Sequence, residues 1–460
     1  MNFLIKIFSP TILIISFLLL IYTFYKSEII WIGDNRNYYK TYYYIFSILI
    51  CFSIITFFIK DEIKQYLIIF GISLILSLYL FEGYLTFKEQ VLKEQVLKEH
   101  FLKEQLLKEQ LYEKQTGNKW DRRSKLDIYK ELKKNNNKIT ISFHPEYFVF
   151  RNYSSVPLPL SGVSNSETIH CNENGYYSLY QSDRYGFNNP DDEWDKKQIE
   201  YLLVGDSYTQ GYCVNRPNDI SSVIRNLSNK SVLNLGMGGN GPLIEYATLR
   251  EYLDINVKKV LWIYFEGNDL HNLEFEKKNN ILISYLKDLN FSQNLKFQQN
   301  DIDSLLLNLI KKKEKEKEKE KEKEKKREIE RNTFKFKLVK FIKIYNTRSL
   351  MSSILLAPAP EFKQILKLTK ELTNKNNSKL YFVYLPNYNR YKKTYDNKNY
   401  NLVKIKNIVT KLNIPFIDIH KEVFKKEQNP LMLFPFELYG HYNAYGYKKV
   451  AETIYKFTKD

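Results

Sequence analysis

IEYLLVGDS, residues 199–207, is an apolar run that stops abruptly at Gly205-Asp206-Ser207. A short apolar run closed by a glycine turn reads as a strand buried on both faces. Such a strand belongs to a sheet covered by helices above and below. The serine then stands where the strand hands over to a helix. There its hydroxyl points outward and feels the partial positive charge of the helix N-terminus.

The chain downstream keeps the same rhythm. Helix-like Asp219–Asn229 leads to strand Ser231–Leu235, helix Pro242–Leu253 and strand Lys259–Phe265. Helix 361–374, strand Leu380–Leu385, helix Leu402–Leu412, strand Pro415–Ile419 and helix Ala444–Phe457 follow. Strands alternating with helices of this length predict an α/β domain over 199–460, with a parallel sheet flanked by helices. Sites in such sheets lie beyond the carboxyl ends of the strands.

Four features fall at those ends. Ser207 is the first. Asn234-Leu-Gly-Met-Gly-Gly239 frees backbone N–H groups that can face an oxyanion. Gly267-Asn268-Asp269 offers a side-chain amide, and His441 precedes the last helix within Gly440-His-Tyr-Asn-Ala-Tyr-Gly446. Together they supply a nucleophile, oxyanion donors and a base. Singly, each has a plainer reading: a helix cap, a turn, a turn residue and a structural histidine. Their joint order, each after a strand, favours chemistry.

On these residues, 195–460 resembles the SGNH/GDSL hydrolases, whose fold is a flavodoxin-like three-layer α/β sheet. The resemblance implies Ser207 as nucleophile, Gly239 and Asn268 as oxyanion donors beside the serine N–H, and His441 as base. Asn443 and Gly446 after the histidine fit the same pattern. It also implies two-step acyl transfer with no metal or nucleotide cofactor. The chain departs from the family at Leu438, three residues before the histidine, where an aspartate usually orients the imidazole. Glu437 could supply that carboxylate, or a backbone carbonyl could serve, leaving a dyad. Asp418 and His420 make a second tempting pair, better read as structural.

Upstream, Phe8–Tyr25, Tyr42–Ile59 and Tyr66–Leu85 are each long enough to cross a hydrocarbon core of roughly 30 Å, and tyrosines cluster at their ends. Residues 1–86 therefore read as a three-span transmembrane anchor; a cleaved signal peptide fits poorly without a small-residue cleavage site. Lys6, Lys60 and Lys64 mark one side, opposed by Lys26, Arg36 and Lys40. An inside N-terminus places the remainder on the extracytoplasmic, periplasmic side. Residues 87–139 read as a charged helical stalk built on KEQVL repeats. A five-residue step turns about 140° on a helix, which spreads Val and Leu over every face rather than making a seam. Residues 140–198 form a lead-in rich in Tyr, Asn, Ser and Asp, either an irregular extension or a β-rich cap suited to sugar rings. The alternating Lys/Glu tract at 311–331 cannot bury a core and reads as a solvated insertion.

The 460 residues carry a formal charge of +18. Lysine, asparagine, isoleucine and tyrosine abound throughout, and no basic face forms a nucleic-acid module, so nucleic acid is not the expected partner. Of three cysteines, Cys51 lies in an apolar run. Cys171 and Cys213 would bridge if exported and stay reduced in a cytosol. The partners expected are the bilayer and an ester-bearing, acylated glycan. The leading reading is a carbohydrate or cell-envelope O-acyl (acetyl) esterase, with a sugar O-acyltransferase as its variant. An inactive SGNH-like binding or assembly subunit and a membrane-surface scaffold are the competing classes.

Overall fold

The computed structural model describes residues 2–30, 36–91, 97–151, 153, 155–253, 256–313, 334–347, 360–392 and 401–459. The chain divides into two compact units, Met1–Lys98 with Lys323–Leu355, and Glu99–Glu322 with Leu356–Asp460.

In the first unit three helices are long and apolar enough to cross a bilayer: Phe3–Ile29, Tyr39–Thr56 and Asp61–Lys88. Their ends fall close to the three apolar runs read from the sequence. A fourth segment joins them. Tyr79 Oη donates to the Ile342 carbonyl at 3.0 Å, and the rings of Tyr79 and Phe341 lie 5.5 Å apart. Buried Glu82 accepts the N–H groups of Asn346 and Thr347 and the Thr347 hydroxyl. Residues after the Lys/Glu tract thus belong with the anchor helices and not with the α/β domain that surrounds them in sequence. Of the tract itself, all but 311–313 lies outside the described residues.

Helix Leu97–Thr116, in the segment expected as a stalk, belongs to the second unit from Glu99 onward. Glu104, Lys108 and Tyr112 share one face, being four residues apart. Lys108 Nζ donates to the Tyr439 carbonyl at 2.5 Å, Glu104 accepts the Tyr439 N–H at 2.9 Å, and Tyr112 meets Phe436 edge-on. This helix lies against the loop before His441. Helix Lys125–Leu132 starts on a capping box formed by Ser124 and Asp127, and it buries Ile128 and Tyr129 in the core.

The lead-in folds as a small three-stranded sheet. β1 (Ile139–Ile141) pairs parallel with β2 (Glu167–Ile169), which pairs antiparallel with β3 (Leu179–Gln181). Long irregular stretches join them, yet Leu158, Leu160 and Phe187 are fully buried. The segment is part of the domain body.

The central sheet contains β4 (Ile199–Gly205), β5 (Val232–Asn234), β6 (Val257–Phe265), β7 (Lys379–Leu385) and β8 (Phe416–Asp418). All neighbours are parallel, in the order β5-β4-β6-β7-β8. Counted from β4 this is the 2-1-3-4-5 order of flavodoxin-like sheets, and the three-layer α/β fold expected from the alternation is the fold observed. Side chains on a strand alternate between faces, so two cores form. On β6, Val260, Trp262 and Tyr264 join one core with helices Pro242–Tyr252, Pro360–Lys375 and Leu402–Lys411. Leu261, Ile263 and Phe265 join the other with Ile220–Ser228 and Ala444–Thr458. Each fully buried aliphatic side chain contributes about 1.5–3 kcal/mol, and both faces of the sheet are occupied.

Candidate active site

Ser207 begins a single helical turn, Ser207–Gln210, directly after β4. Three local features build the junction. Asp206 caps the turn, accepting the Tyr208 N–H at 2.9 Å. Gly211 closes it at φ +83°, a left-handed conformation that favours glycine. A side chain at Gly205 would stand 2.6 Å from the Ile263 carbonyl of the adjoining strand, so only glycine lets β4 and β6 meet there. Asp206 is fully buried, which pushes its carboxyl up to about 6.

His441 reaches this turn from the far end of the domain. Its Nε2 lies 2.9 Å from Ser207 Oγ; Asp206 Oδ2 is farther from the hydroxyl, at 3.3 Å. Tyr208 and Tyr212 hold the imidazole, with ring centroids at 4.6 and 4.4 Å. On its other side is Glu173. Oε1 lies 3.0 Å from His441 Nδ1, while Oε2 accepts the His441 main-chain N–H at 2.7 Å. Burial works to raise the Glu173 pKa. The charge of His441, its two hydrogen bonds and the charge of Lys108 outweigh that, and the carboxyl stays below the usual range. An ionised carboxylate at Nδ1 selects the tautomer that leaves Nε2 free to accept the serine proton.

Glu437 does not take this place, which corrects the expectation from sequence. Phe436 and Glu437 both adopt left-handed backbone, at φ 55° and 60°. The loop turns the Glu437 carboxylate toward Asn429, whose Nδ2 donates to it at 3.0 Å. Glu173 was missed because it sits 268 residues before the histidine, inside the lead-in. One signal pointed to it. Cys171, two residues before Glu173, forms a disulfide with Cys213, six residues after Ser207. Closing a loop of this length stabilises a fold by roughly 4 kcal/mol in the chain-entropy picture. It also ties the carboxylate-bearing loop to the turn that carries Ser207.

Gly239 and Asn268 follow β5 and β6, the two neighbours of β4, so they flank Ser207 along the carboxyl edge of the sheet. The glycine loop is anchored at many points. Gly236 N–H donates to Asn234 Oδ1, Gly238 N–H to Gln210 Oε1, and Gly241 and Leu243 N–H to buried Glu276. Gly239 has φ +75°, and its carbonyl accepts from Asn272. Among the described residues no acceptor meets its N–H. Asn268 precedes helix Asp269–Glu276 without capping it, and its Oδ1 is buried with no hydrogen-bond partner. Of these groups the Gly239 N–H is the donor left without an acceptor among the described residues.

Asp418 and His420 serve the fold. Asp418 caps a short helix by accepting the Lys421 N–H at 3.0 Å, and His420 Nδ1 pairs with the Tyr391 hydroxyl at 2.7 Å. Among the described residues one trio of metal-binding types comes together, Glu173, Cys213 and His441. It does not fit an ion. The Cys213 sulfur is spent in the disulfide, and the other two groups are bonded to each other.

No family model and no curated protein matches the chain. Among the solved structures similar to it, two are matched over nearly their whole length. One is a protein described as lipolytic and of the G-D-S-L family, from Desulfitobacterium hafniense DCB-2, at 14% identity and TM-score 0.32, covering 57% of this chain and 99% of that one. The other is the acetyl xylan esterase AlAXEase, at 13% identity and TM-score 0.30, covering 56% of this chain and 99% of that one.

Proposed function

We propose that this chain is a membrane-anchored serine esterase that removes O-acyl groups, acetyl foremost, from a carbohydrate of the cell envelope. The observation carrying this reading is the relay in which His441 Nε2 lies 2.9 Å from Ser207 Oγ and Nδ1 lies 3.0 Å from a Glu173 oxygen. Both distances are those of hydrogen bonds.

His441 takes the hydroxyl proton as Ser207 Oγ attacks the ester carbonyl, and Glu173 balances the imidazolium that forms. The oxyanion of the tetrahedral intermediate is met by the N–H groups of Gly239 and Ser207 and by the Asn268 amide. Each such donor supplies about 2.7–4 kcal/mol of barrier lowering. Collapse of the intermediate expels the sugar alcohol, protonated by His441, and leaves an acyl-serine. Water, deprotonated by the same histidine, then releases the acid. A sugar hydroxyl in place of water would make the same site an acyltransferase.

The Cys171–Cys213 disulfide supports an extracytoplasmic position for the α/β unit, since such bridges persist in oxidising compartments. The decisive experiment uses the full chain in detergent micelles with 4-nitrophenyl acetate. Wild-type protein hydrolyses the ester and carries an acetyl adduct on Ser207 by mass spectrometry. Ser207→Ala loses about 10⁶-fold in kcat, the usual cost of removing a serine nucleophile. Equal rates for the two proteins end the reading.

A further inference from the structure

Beside the glycine loop is a cavity of about 430 Å³, within the roughly 300–1,000 Å³ range of small-molecule sites. It abuts the nucleophile's surroundings through two side chains. A side chain on Gly238 would stand 2.6 Å from His144 Nε2, and one on Gly239 would overlap the Glu146 carboxylate. Its walls otherwise carry three cations, Lys125, Arg151 and Lys313, against Glu146 as the single carboxylate.

The three positive heads are crowded together against that one carboxylate. Among the described residues neither Lys125 nor Arg151 has an ion-pair partner. Lys125 occupies the first position of helix Lys125–Leu132, where a positive charge opposes the helix dipole. Burial, with the like charge of Lys313, lowers its pKa to about 8. The other two heads are held by aromatic faces. Arg151 lies 4.0 Å and Lys313 4.8 Å from the Tyr147 ring centroid, and Lys313 is 5.6 Å from that of Phe143. Three like charges gathered round one cavity repel one another, and an anion arriving between these heads relieves that repulsion and gains charge-assisted hydrogen bonds.

We infer that this cavity binds an anionic substituent, carboxylate or phosphate, on the glycan whose ester Ser207 attacks. The inference rests on the esterase reading for the position of the ester, and it narrows the substrate class to acidic glycans. The acyl carbonyl sits at Gly239 and the sugar ring spans the glycine loop. The negative group reaches Lys125, Arg151 and Lys313, with Phe143 and Tyr147 offering ring faces to the sugar.

Calorimetric titration of the full chain in detergent micelles tests this without depending on turnover. The probes are trigalacturonate, a glycerol-phosphate trimer and neutral xylotriose. At least one acidic probe should bind about tenfold or more tightly than xylotriose, the equivalent of about one charge-assisted contact. Which acidic probe wins distinguishes carboxylate from phosphate. Lys125→Gln/Arg151→Gln should erase the preference, and Lys125→Arg/Arg151→Lys should restore most of it, which separates lost charge from lost folding. Equal affinity for all three probes overturns the inference, as does a preference that survives the charge-removing pair. The outcome is independent of Ser207→Ala. A silent serine variant with selective acidic binding would end the esterase reading and keep the site; active hydrolysis without selectivity would do the reverse.

Discussion

Glu173 grips His441 at two points, its Oε1 at the ring Nδ1 and its Oε2 at the main-chain N–H. One carboxylate thereby sets the tautomer, the ring direction and the height of the loop that carries the ring. A carboxylate three residues before the histidine would be local to that loop. Here the same service comes from a distant part of the chain, and Leu438 is released from it.

Replacing Glu173 by Gln should therefore lower kcat on 4-nitrophenyl acetate by about 10⁴-fold with little change in KM, as loss of the orienting carboxylate does in a serine triad. Glu437→Gln should leave the rate unchanged. Steady-state kinetics of the two variants side by side checks this, and a larger loss in Glu437→Gln would reverse the assignment.

The same pairing predicts a pH dependence of stability. The Glu173 carboxyl is held below its ordinary value in the folded protein, so the unfolded chain binds its proton first as pH falls. Its contribution is fully present above the ordinary carboxylate pKa and disappears as pH drops through the folded value. Thermal melts of wild type and Glu173→Gln should differ at neutral pH and converge in acid. A gap that widens in acid would contradict the sign.

Glu146 leads to a prediction about the alkaline limb of activity. Burial, with the charge of Asp206, pushes its carboxyl up to about 7. Ionisation above that value places negative charge against Gly239, where the proposed mechanism forms an oxyanion. The ratio of kcat/KM for Glu146→Gln over wild type should rise as pH passes through 7 and stay flat below it. A ratio independent of pH would show that the Glu146 charge does not reach the reaction.

Gly239→Ala meets two obstacles, a φ of +75° and the Glu146 carboxylate in the space its methyl needs. The left-handed conformation alone costs about 1–2 kcal/mol. Chemical denaturation should register at least that loss. Glu146→Ala in the same chain should return only the part due to overlap, leaving the conformational part.

Breaking the disulfide by Cys171→Ser with Cys213→Ser should lower stability by roughly 2–4 kcal/mol. It should also lower kcat, because the loop bearing Glu173 loses its tether. A variant that melts earlier yet keeps full kcat would confine the bridge to stability.

Much of this was legible in local sequence. Leu202, Leu203 and Val204 are apolar in succession because both faces of β4 are buried, and that density is visible without coordinates. Gly205, Ser207 and His441 sit in short motifs whose backbone needs are local. Glu173 depends on tertiary routing: no periodicity around it marks it, and only the Cys171–Cys213 pairing joins its loop to the serine turn. Helix Leu97–Thr116 misled for another reason. Its repeats spread Leu over several faces, while the contacts that seat it against the histidine loop come from Glu104, Lys108 and Tyr112. The return of 334–347 to the anchor helices was hidden because Glu82 binds main-chain N–H groups, which any sequence supplies.

The route of Glu173 also defines the smallest portable piece of the chemistry. A fragment starting at β4 would keep all five central strands, the serine and the histidine, and would pass inspection as an intact hydrolase. Its imidazole would nevertheless have no acid behind it. Excision for expression, or transplantation onto another anchor, has to begin early enough to include both Cys171 and the helix whose Lys108 faces Glu173.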